Sequence, residues 1–294
     1  MNAADARWTQ LDLSAPTNAK RALHGGGRGS HAFKMSATLV VNEIYLSLQG
    51  ESTFAGLPCV FVRLTACNLR CSYCDTAYAF TQGSKMTVED VRAKIDAMAK
   101  PYGMTKPEGQ RPTGEAGSSV CLLASSLPLV EFTGGEPLLQ PNALPLMKQL
   151  CDDGFTVLVE TSGAIDISKC DPRVRRIMDL KCPSSGESGR MHWPNIGHLR
   201  ATDEIKFVIG TEQDYAWAKE QIATHHLQRV CPLLFSWVAP LLPHQQEKSL
   251  KPFPADHTLI SRKDLVERIV ADALPVRFQL QMHKFIWSPD QKGV

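Results

Sequence analysis

Apolar residues in this chain fall into short runs, and between several of these runs they recur at helical spacing. Short apolar runs that are bounded by turn residues predict buried β-strands. The predicted strands span residues 38–48, 59–65, 128–133, 156–161, 176–180, 204–209, 232–238 and 276–282. From residue 38 onward, the chain is therefore predicted to be rich in strands.

Helical patterns lie between several of the predicted strands. Thr87 precedes Glu89 and Asp90 and can cap a helix that runs toward Lys100. Three further helices are predicted to begin at Pro141, Thr211 and Ser261. Alternation of strands and helices favours parallel strands joined by helical crossovers. We therefore predict an α/β fold with parallel strands.

The predicted domain organisation is a flexible tail followed by one domain. Residues 1–35 include HGGGRGSH (24–31), but no strand precedes these glycines and no helix follows, so a linker is favoured over a dinucleotide-binding loop. Residues 36–294 are expected to form a single domain. The segments near 101–127 and 240–256 are rich in turn-forming and polar residues, which predicts surface insertions.

Polar or glycine-rich motifs follow five of the predicted strands at the point where each strand ends. They are CNLRC (67–71), TGGEP (133–137), ETSG (160–163), DLK (179–181) and QMHK (281–284). The carboxyl ends of parallel barrel strands meet at one rim, where such enzymes place their chemistry. These motifs therefore predict one functional site at that rim.

Charge and cysteine content narrow the class of protein. The net charge of +2 gives no electrostatic reason to expect a nucleic-acid or membrane surface. The chain has nine cysteines and no secretory signal or membrane anchor at its start, which indicates a reducing, cytoplasmic setting. In such a setting, clustered cysteines bind metal more often than they form disulfides.

Cys67, Cys71 and Cys74 stand within eight positions, and no fourth cysteine occurs at comparable spacing. A structural zinc site needs four ligands, and the other cysteines form no second CxxC pair. Burial of the three thiols as small apolar side chains is a third interpretation, but polar residues stand between them. An iron–sulfur cluster held by three thiolates would leave one iron open for a ligand, and this interpretation is favoured.

These cysteines and the motifs around them carry a resemblance to a known family. CxxxCxxC after an early strand resembles the signature of the radical S-adenosylmethionine superfamily. The motifs in order are NEIYLSLQGES (42–52), GLPCVFVRLTACNLRCSYCDTAYAF (56–80), VEFTGGEPLLQ (130–140), VETSGAID (159–166), MDLKCPSSGE (178–187) and RFQLQMHKFIW (277–287). Together they resemble the 7-carboxy-7-deazaguanine synthases over most of residues 40–294.

The resemblance implies a partial (β/α) TIM-like barrel of the radical S-adenosylmethionine type and a carbon–nitrogen lyase. In that family, three cysteines hold a 4Fe–4S cluster whose fourth iron binds S-adenosylmethionine, and reduction gives a 5′-deoxyadenosyl radical. The implied reaction converts 6-carboxy-5,6,7,8-tetrahydropterin to 7-carboxy-7-deazaguanine with loss of ammonia, a step toward queuosine. It further implies a flavodoxin-type electron donor and a homodimer.

The same resemblance assigns roles to individual residues. The implied substrate contacts are Leu48, Gln49, Gly50, Arg63, Thr133 and the terminal carboxylate of Val294. The implied S-adenosylmethionine contacts are Tyr73, Cys74, Asp75, Gly135, Asp179, Leu180, Lys181, Gln281 and His283. Thr76 matches a position that helps hold Mg²⁺, and by itself it would be a helix cap. Some family members have Ser-Pro-Lys where this chain has Asp179-Leu180-Lys181, so the first two of these positions depart from that pattern.

Two other functions compete with this interpretation. A glycyl-radical activase also uses CxxxCxxC on a partial barrel, but its pattern includes neither the QGE loop nor the QMHK strand. A metal-stabilised binding module is the non-enzymatic alternative, and it would not cleave S-adenosylmethionine after reduction. Direct tRNA binding is rejected because the chain has no basic stripe.

Overall fold

The computed structural model describes residues 37–103, 127–288 and 291–294. The predicted tail and most of the predicted insertion near 101–127 lie outside these residues. Every structural statement below concerns the described residues only.

One nine-stranded sheet organises the described part of the chain. Its strands are β1 (Thr38–Leu48), β2 (Pro58–Leu64), β3 (Ser84–Thr87), β4 (Leu129–Gly134), β5 (Val157–Thr161), β6 (Arg175–Asp179), β7 (Glu204–Ile209), β8 (Leu233–Trp237) and β9 (Arg277–Gln279). The order across the sheet is β3-β1-β2-β4-β5-β6-β7-β8-β9, and all pairs from β2 to β9 are parallel. This open, mostly parallel sheet confirms the predicted α/β partial barrel.

The β1 end of the sheet differs from the prediction. β1 pairs antiparallel with β2 and with β3, and β3 was missed because a four-residue run carries little periodic signal. The β1–β2 connection, residues 49–57, contains no helix. A connection this short joins antiparallel neighbours, because a parallel pair needs a crossover of a dozen or more residues.

The helices are α1 (Val88–Ala99), α2 (Ala143–Asp152), α3 (Glu212–Thr224), α4 (Arg262–Ala271) and α5 (His283–Ile286). Three begin at the predicted caps, because the hydroxyls of Thr87, Thr211 and Ser261 accept hydrogen bonds from backbone amides of the first turn. None of the described helices is both long and apolar enough to cross a membrane.

The last predicted strand is shorter than expected. β9 ends at Gln279, whereas the predicted strand runs to residue 282. The amide of Met282 donates to the carbonyl of Gly50 at 2.9 Å instead of continuing the ladder with β8. The chain then turns into α5, which begins at His283.

Strand residues alternate between the two faces of the sheet. Residues such as Val60, Val62 and Phe132 belong to the large core that also contains Ile95 of α1 and Leu146 of α2. The opposite face is the interior of the partial barrel. There a smaller apolar cluster contains Cys59, Phe61, Leu129, Leu158 and Ile177. We call this cluster the lower interior.

The segment between β8 and α4 covers residues 238–261 and contains one short 3-10 helix, Pro243–Gln245. Several of its residues line the cavity described next. This segment includes the stretch predicted as a surface insertion near 240–256.

Candidate active site

A cavity of about 540 Å³ opens where the parallel strands end. It brings together all five motif groups that the sequence placed at strand ends. The predicted site residues that line it are Leu48, Gln49, Gly50, Arg63, Cys67, Cys71, Tyr73, Cys74, Asp75, Thr76, Thr133, Gly135, Asp179, Lys181, Gln281, His283 and Val294.

Leu180 is the predicted contact that does not line the cavity. Its side chain is buried in the core beneath the helices, and its amide donates to the carbonyl of Lys206 at 2.8 Å. Alternation explains this placement, because Asp179 faces the barrel interior and the next side chain must face the other way. The side chain of Leu180 therefore faces away from the cavity, and its predicted contact with S-adenosylmethionine stays a prediction.

The three clustered cysteines lie on a loop, residues 67–74, which we call the cysteine loop. The loop has no helix or strand, and none of its thiols is in a disulfide. Among the described residues, no three His, Cys, Asp or Glu side chains are arranged to hold a single metal ion. A cluster makes a different demand, because its thiolates bind different irons around a common space. Cys67, Cys71 and Cys74 all line the same cavity, as such a cluster requires.

The cysteine thiols are protonated without a metal. Burial raises the pKa of Cys71 to about 12, and nearby Lys181 opposes this rise. Burial also raises the pKa of Cys67 and of Cys74. A metal that binds these thiols must therefore displace protons, as thiolate ligation requires.

Two buried polar atoms on the cavity wall have no hydrogen-bond partner within the described residues. They are the Tyr73 hydroxyl and Oδ1 of Asp179, while Oδ2 of Asp179 accepts from Lys181 at 2.6 Å. Unpaired buried polar atoms are costly, so such a site suits a ligand that carries polar groups. The donor set of the cavity therefore fits a cluster together with a polar cofactor.

The TGGEP loop packs directly against the chain that enters the cysteine loop. The amide of Glu136 donates to the carbonyl of Ala66 at 2.8 Å, and a Cβ at Gly135 would overlap that carbonyl. Glycine is required for this close approach. The buried Glu136 carboxylate accepts from the amide of Ser162 at 2.7 Å and from the Thr161 hydroxyl at 3.0 Å, which joins the ends of β4 and β5.

Lys206 forms the centre of the charged part of the barrel interior. Its ammonium pairs with Glu160, with Glu51 at 3.1 Å and with Asp179 at 3.9 Å, and its side chain is 5% exposed. Burial alone would lower the pKa of Lys206, but the carboxylates of Glu160 and Glu51 hold it well above its usual value. The lysine is therefore charged, and it balances the buried Asp179 and the partly buried Glu51 and Glu160.

Gln49 is held on both ends of its amide. Its Nε2 donates to Glu131, and its Oε1 accepts from the backbone amide of Glu51 at 2.9 Å. Burial, followed by the negative charge of Glu160, raises the pKa of Glu131 well above its usual value. Gln49 thus anchors the QGE loop to β4.

Arg63 enters the cavity from β2 within a cluster of polar groups. Its Nε pairs with Glu43 at 2.7 Å and its Nη2 donates to the Tyr45 hydroxyl at 2.9 Å, while the Tyr78 hydroxyl donates to Glu43 at 3.0 Å. Burial opposes its charge, but Tyr45, Tyr78 and Glu43 keep the pKa of Arg63 above its usual value. A permanent cation with a fixed orientation therefore faces the cavity.

Thr76 and Asp75 lie at the end of the cysteine loop. Thr76 precedes a 3-10 helix but makes no side-chain cap bond, which argues against the cap interpretation. Its hydroxyl lies 3.7 Å from Sγ of Cys74. Asp75 pairs with Lys284 of α5 at 2.6 Å.

The C-terminal residues also reach the cavity. Gly293 and Val294 line it, and Nζ of Lys292 lies 4.1 Å from the centre of the Tyr78 ring. His283 packs on Gly50, where an added Cβ would lie 2.5 Å from the His283 Nδ1.

Sequence reasoning missed several charged residues that line the cavity. They are Glu43, Glu51, Glu131, Lys206 and Lys284. Two of them could have been identified from the sequence, because Glu131 and Lys206 lie between apolar residues within their strands. Charged groups at such positions must be paired or functional.

Three proteins that are similar to this chain in sequence carry the same enzyme name. No family model matches the chain. The 7-carboxy-7-deazaguanine synthase of Koribacter versatilis is 41% identical over 256 residues, which is 86% of this chain and 99% of that protein. The enzymes of the same name from Chlorobaculum tepidum and Methanospirillum hungatei are 38% and 34% identical, over 88% and 90% of this chain and 98% and 92% of their own.

The fold is similar to a solved structure, QueE from Escherichia coli. The TM-score is 0.55 at 22% identity, with 84% of this chain and 95% of that chain covered. This similarity supports the architecture, and the sequence relatives decide the family. Since the relatives match at up to 41% identity over nearly their whole length, the chain belongs to the 7-carboxy-7-deazaguanine synthase family of radical S-adenosylmethionine enzymes.

Proposed function

We propose that the chain converts 6-carboxy-5,6,7,8-tetrahydropterin to 7-carboxy-7-deazaguanine with loss of ammonia, in queuosine biosynthesis. The relatives carry the name of this synthase, which supports a lyase activity. The single observation that carries the proposal is one cavity that is lined by all three clustered cysteines and by Arg63. The cavity thereby combines a cluster-binding loop with a cation for a carboxylated substrate.

Cys67, Cys71 and Cys74 are the proposed ligands of a 4Fe–4S cluster. The proposed S-adenosylmethionine contacts are Tyr73, Asp75, Gly135, Asp179, Lys181, Gln281 and His283. When bound, these groups supply the one-electron chemistry that removes a hydrogen atom from C6 of the substrate. The unpaired Tyr73 hydroxyl and Asp179 Oδ1 are available to donors or acceptors of the cofactor.

Arg63 is proposed to bind the carboxylate of the pterin. Glu43 and Tyr45 already orient its guanidinium, so little side-chain entropy is lost when the substrate arrives. Leu48, Gln49, Gly50, Thr133 and Val294 complete the proposed substrate set. The bonds to Glu131 and to the Glu51 amide use one N–H and one lone pair of the Gln49 amide, so a second N–H and a second lone pair remain for the pterin edge.

Glu51 is a further polar group for the pterin ring, and Gln281 orients its carboxylate. Nε2 of Gln281 donates to the Glu51 carboxylate at 3.0 Å, and both residues line the cavity. A carboxylate can accept from the amino and ring N–H groups of a pterin. Glu51 therefore joins the proposed substrate residues, although the sequence reasoning did not include it.

Thr76 is proposed to help hold Mg²⁺, with substrate and water as the remaining ligands. Its hydroxyl makes no helix-cap bond and lies beside Cys74, with Sγ at 3.7 Å. A flavodoxin-type electron donor, a homodimer and a cytoplasmic location complete the proposal. Residues 36–294 are proposed to act as one domain.

An anaerobic assay tests the function directly. Reconstituted protein, a reductant, S-adenosylmethionine and 6-carboxy-5,6,7,8-tetrahydropterin should give a product with the mass of 7-carboxy-7-deazaguanine. Cys71→Ala should lose both cluster incorporation and turnover, whereas Cys151→Ala, which changes a thiol in the core of the fold, should retain iron. A wild-type protein that fails to turn over this pterin would refute the proposal.

The same preparation separates the competing functions. Reductive cleavage of S-adenosylmethionine without any pterin product would favour a different radical enzyme, such as a glycyl-radical activase. A metal centre that neither binds nor cleaves S-adenosylmethionine would favour a binding module.

A further inference from the structure

The β8–α4 segment is attached to the cysteine loop through one lysine. The amide of Lys251 donates to the carbonyl of Arg70 at 2.9 Å. The ammonium of Lys251 pairs with Glu187 at 2.9 Å and also donates to the carbonyl of Gly186. A segment that was predicted to be a surface insertion therefore contacts the loop that carries the cluster ligands.

Glu187 links Lys251 to the middle of the cysteine loop. Its side chain is 3% exposed, and its Oε1 accepts from the backbone amide of Arg70 at 2.7 Å. Arg70 immediately precedes Cys71. A buried carboxylate is costly unless it is paired, and here one oxygen is bonded to the loop and the other to the lysine.

The cysteine loop depends on contacts of this kind for its shape, because it has no helix or strand of its own. On its other side, the Ser72 amide donates to the carbonyl of Ser185 at 3.1 Å, and its hydroxyl donates to that of Ser184 at 2.6 Å. Ser184 is itself held by the buried Asp214 at 2.6 Å. Residues 184–187 thus contact the loop on both sides of Cys71.

Close packing supports a specific fit between the two segments. Gly186 has a φ of +71°, and an added Cβ would lie 2.8 Å from Cδ of Lys251. The lysine stem therefore lies directly on this glycine, so the contact is more than a mobile surface ion pair.

We propose that Lys251 and Glu187 are positioning residues that hold the cysteine loop in its cluster-binding shape. The β8–α4 segment is accordingly part of the cofactor site. This inference rests on the proposed cluster, but the loop geometry can be tested in protein that contains no iron.

The test is the rate at which a maleimide labels each cysteine in metal-free protein at one fixed pH, resolved by peptide mass. Lys251→Met and Glu187→Gln should each accelerate labelling of Cys71 and Cys74 by about threefold or more. Lys248→Met, an exposed lysine of the same segment, is the matched control and should leave both rates unchanged. Wild-type rates in both variants would overturn the proposal.

The two variants together exclude a purely electrostatic effect. Loss of the Lys251 cation would raise the thiol pKa values and slow labelling, whereas loss of the Glu187 anion would speed it. Positioning predicts that both variants label faster. Opposite changes in the two variants would contradict the proposal.

General loss of stability is excluded by an internal reference. Cys151 lies in the core, so a globally loosened protein would expose it along with the loop thiols. Positioning predicts acceleration at Cys71 and Cys74 but not at Cys151, and equal acceleration at all three would overturn it.

Cluster measurements give a second readout. After anaerobic reconstitution, both variants should lose their visible cluster absorbance in air severalfold faster than wild type and the Lys248→Met control. Unchanged rates of absorbance loss would count against the proposal.

The outcomes also separate this inference from the proposed function. Changed labelling in a protein that makes no deazaguanine would refute the proposed function alone, whereas unchanged labelling in an active enzyme would refute only this inference.

Discussion

The two halves of the barrel interior differ sharply although the same strands build both. The lower interior is apolar, with Leu129, Leu158 and Ile177 almost fully buried. Two positions further along these strands stand Glu131, Glu160 and Asp179. Two residues span about 6–7 Å along a strand, so the interior changes from apolar to charged side chains within one layer.

The difference separates stability from function. Burial of apolar side chains stabilises the fold, whereas burial of charged groups costs free energy unless each group is paired. We call the charged half of the interior the charged layer. It avoids most of this cost because Lys206 lies among the carboxylates of Glu51, Glu160 and Asp179. The charged layer is therefore best explained by ligand binding, and the apolar layer by folding.

The largest expected effect is at the centre of the charged layer. Lys206→Met leaves the buried Asp179 and the partly buried Glu51 and Glu160 without their cation, which should cost about 3–5 kcal/mol of unfolding free energy. Product formation should also be lost. Urea unfolding of the metal-free protein measures the stability change.

Lys219→Met is the matched control for Lys206. Lys219 pairs with Asp272 at the surface, and its loss should cost less than about 1 kcal/mol. If the two variants were equally stable, the charged layer would not be an interdependent network.

A change in the lower interior should reduce stability but leave ligand binding intact. Leu158→Ala opens a cavity in the lower interior and should cost about 2–5 kcal/mol. The folded fraction should still bind a cluster and pterin with nearly normal affinity, because no group on the cavity wall is removed. Leu259→Ala, at a position that is 72% exposed, is the control and should be close to neutral. A large loss of pterin affinity in Leu158→Ala would remove the distinction between the layers.

Arg63→Ala tests the ligand-binding role of the charged layer without removing its central cation. A charge-assisted hydrogen bond contributes about 1.5–3 kcal/mol, so pterin affinity should fall by about tenfold to a hundredfold. The cluster spectrum should be unchanged. Arg173→Ala, a surface arginine paired with Asp171, should bind pterin normally. Unchanged affinity in Arg63→Ala would exclude the carboxylate contact.

The smallest expected effect is a change in pH dependence. The pKa of Glu131 is raised above its ordinary value of 4.5, so folding favours its protonated form. Glu131 therefore contributes stability below pH 4.5 that is progressively lost as the pH rises toward its folded pKa. Glu131→Gln, which remains neutral, should lose less stability than wild type over that range.

Urea unfolding between pH 5 and 8 measures this difference. The free-energy gap between Glu131→Gln and wild type should move in favour of the variant as the pH rises. Glu89→Gln on the exposed start of α1 should show no such trend. Parallel pH profiles for Glu131→Gln and wild type would show that Glu131 is ionised in the folded protein.

Some of the site was predictable because its signals are local. Strand periodicity and caps such as Thr87 and Ser261 depend on residues close in sequence, and they placed most strands and helices within a few residues. Motifs at strand ends predicted a shared rim, because parallel strands must place those ends together. The end of β9 was predicted wrongly, because the tertiary hydrogen bond from Met282 to Gly50 ends the strand early.

By itself, the sequence determined the parallel architecture, the cysteine loop and the convergence of five motifs on one rim, since periodicity and strand direction are properties of the local chain. Only the tertiary structure decided the partners of the buried charges. Lys206 meets Glu51 across 155 positions, and Lys251 meets Glu187 across 64. Such pairs have no local signature, because a charge selects its partner by proximity in the folded barrel and by the cost of remaining unpaired there.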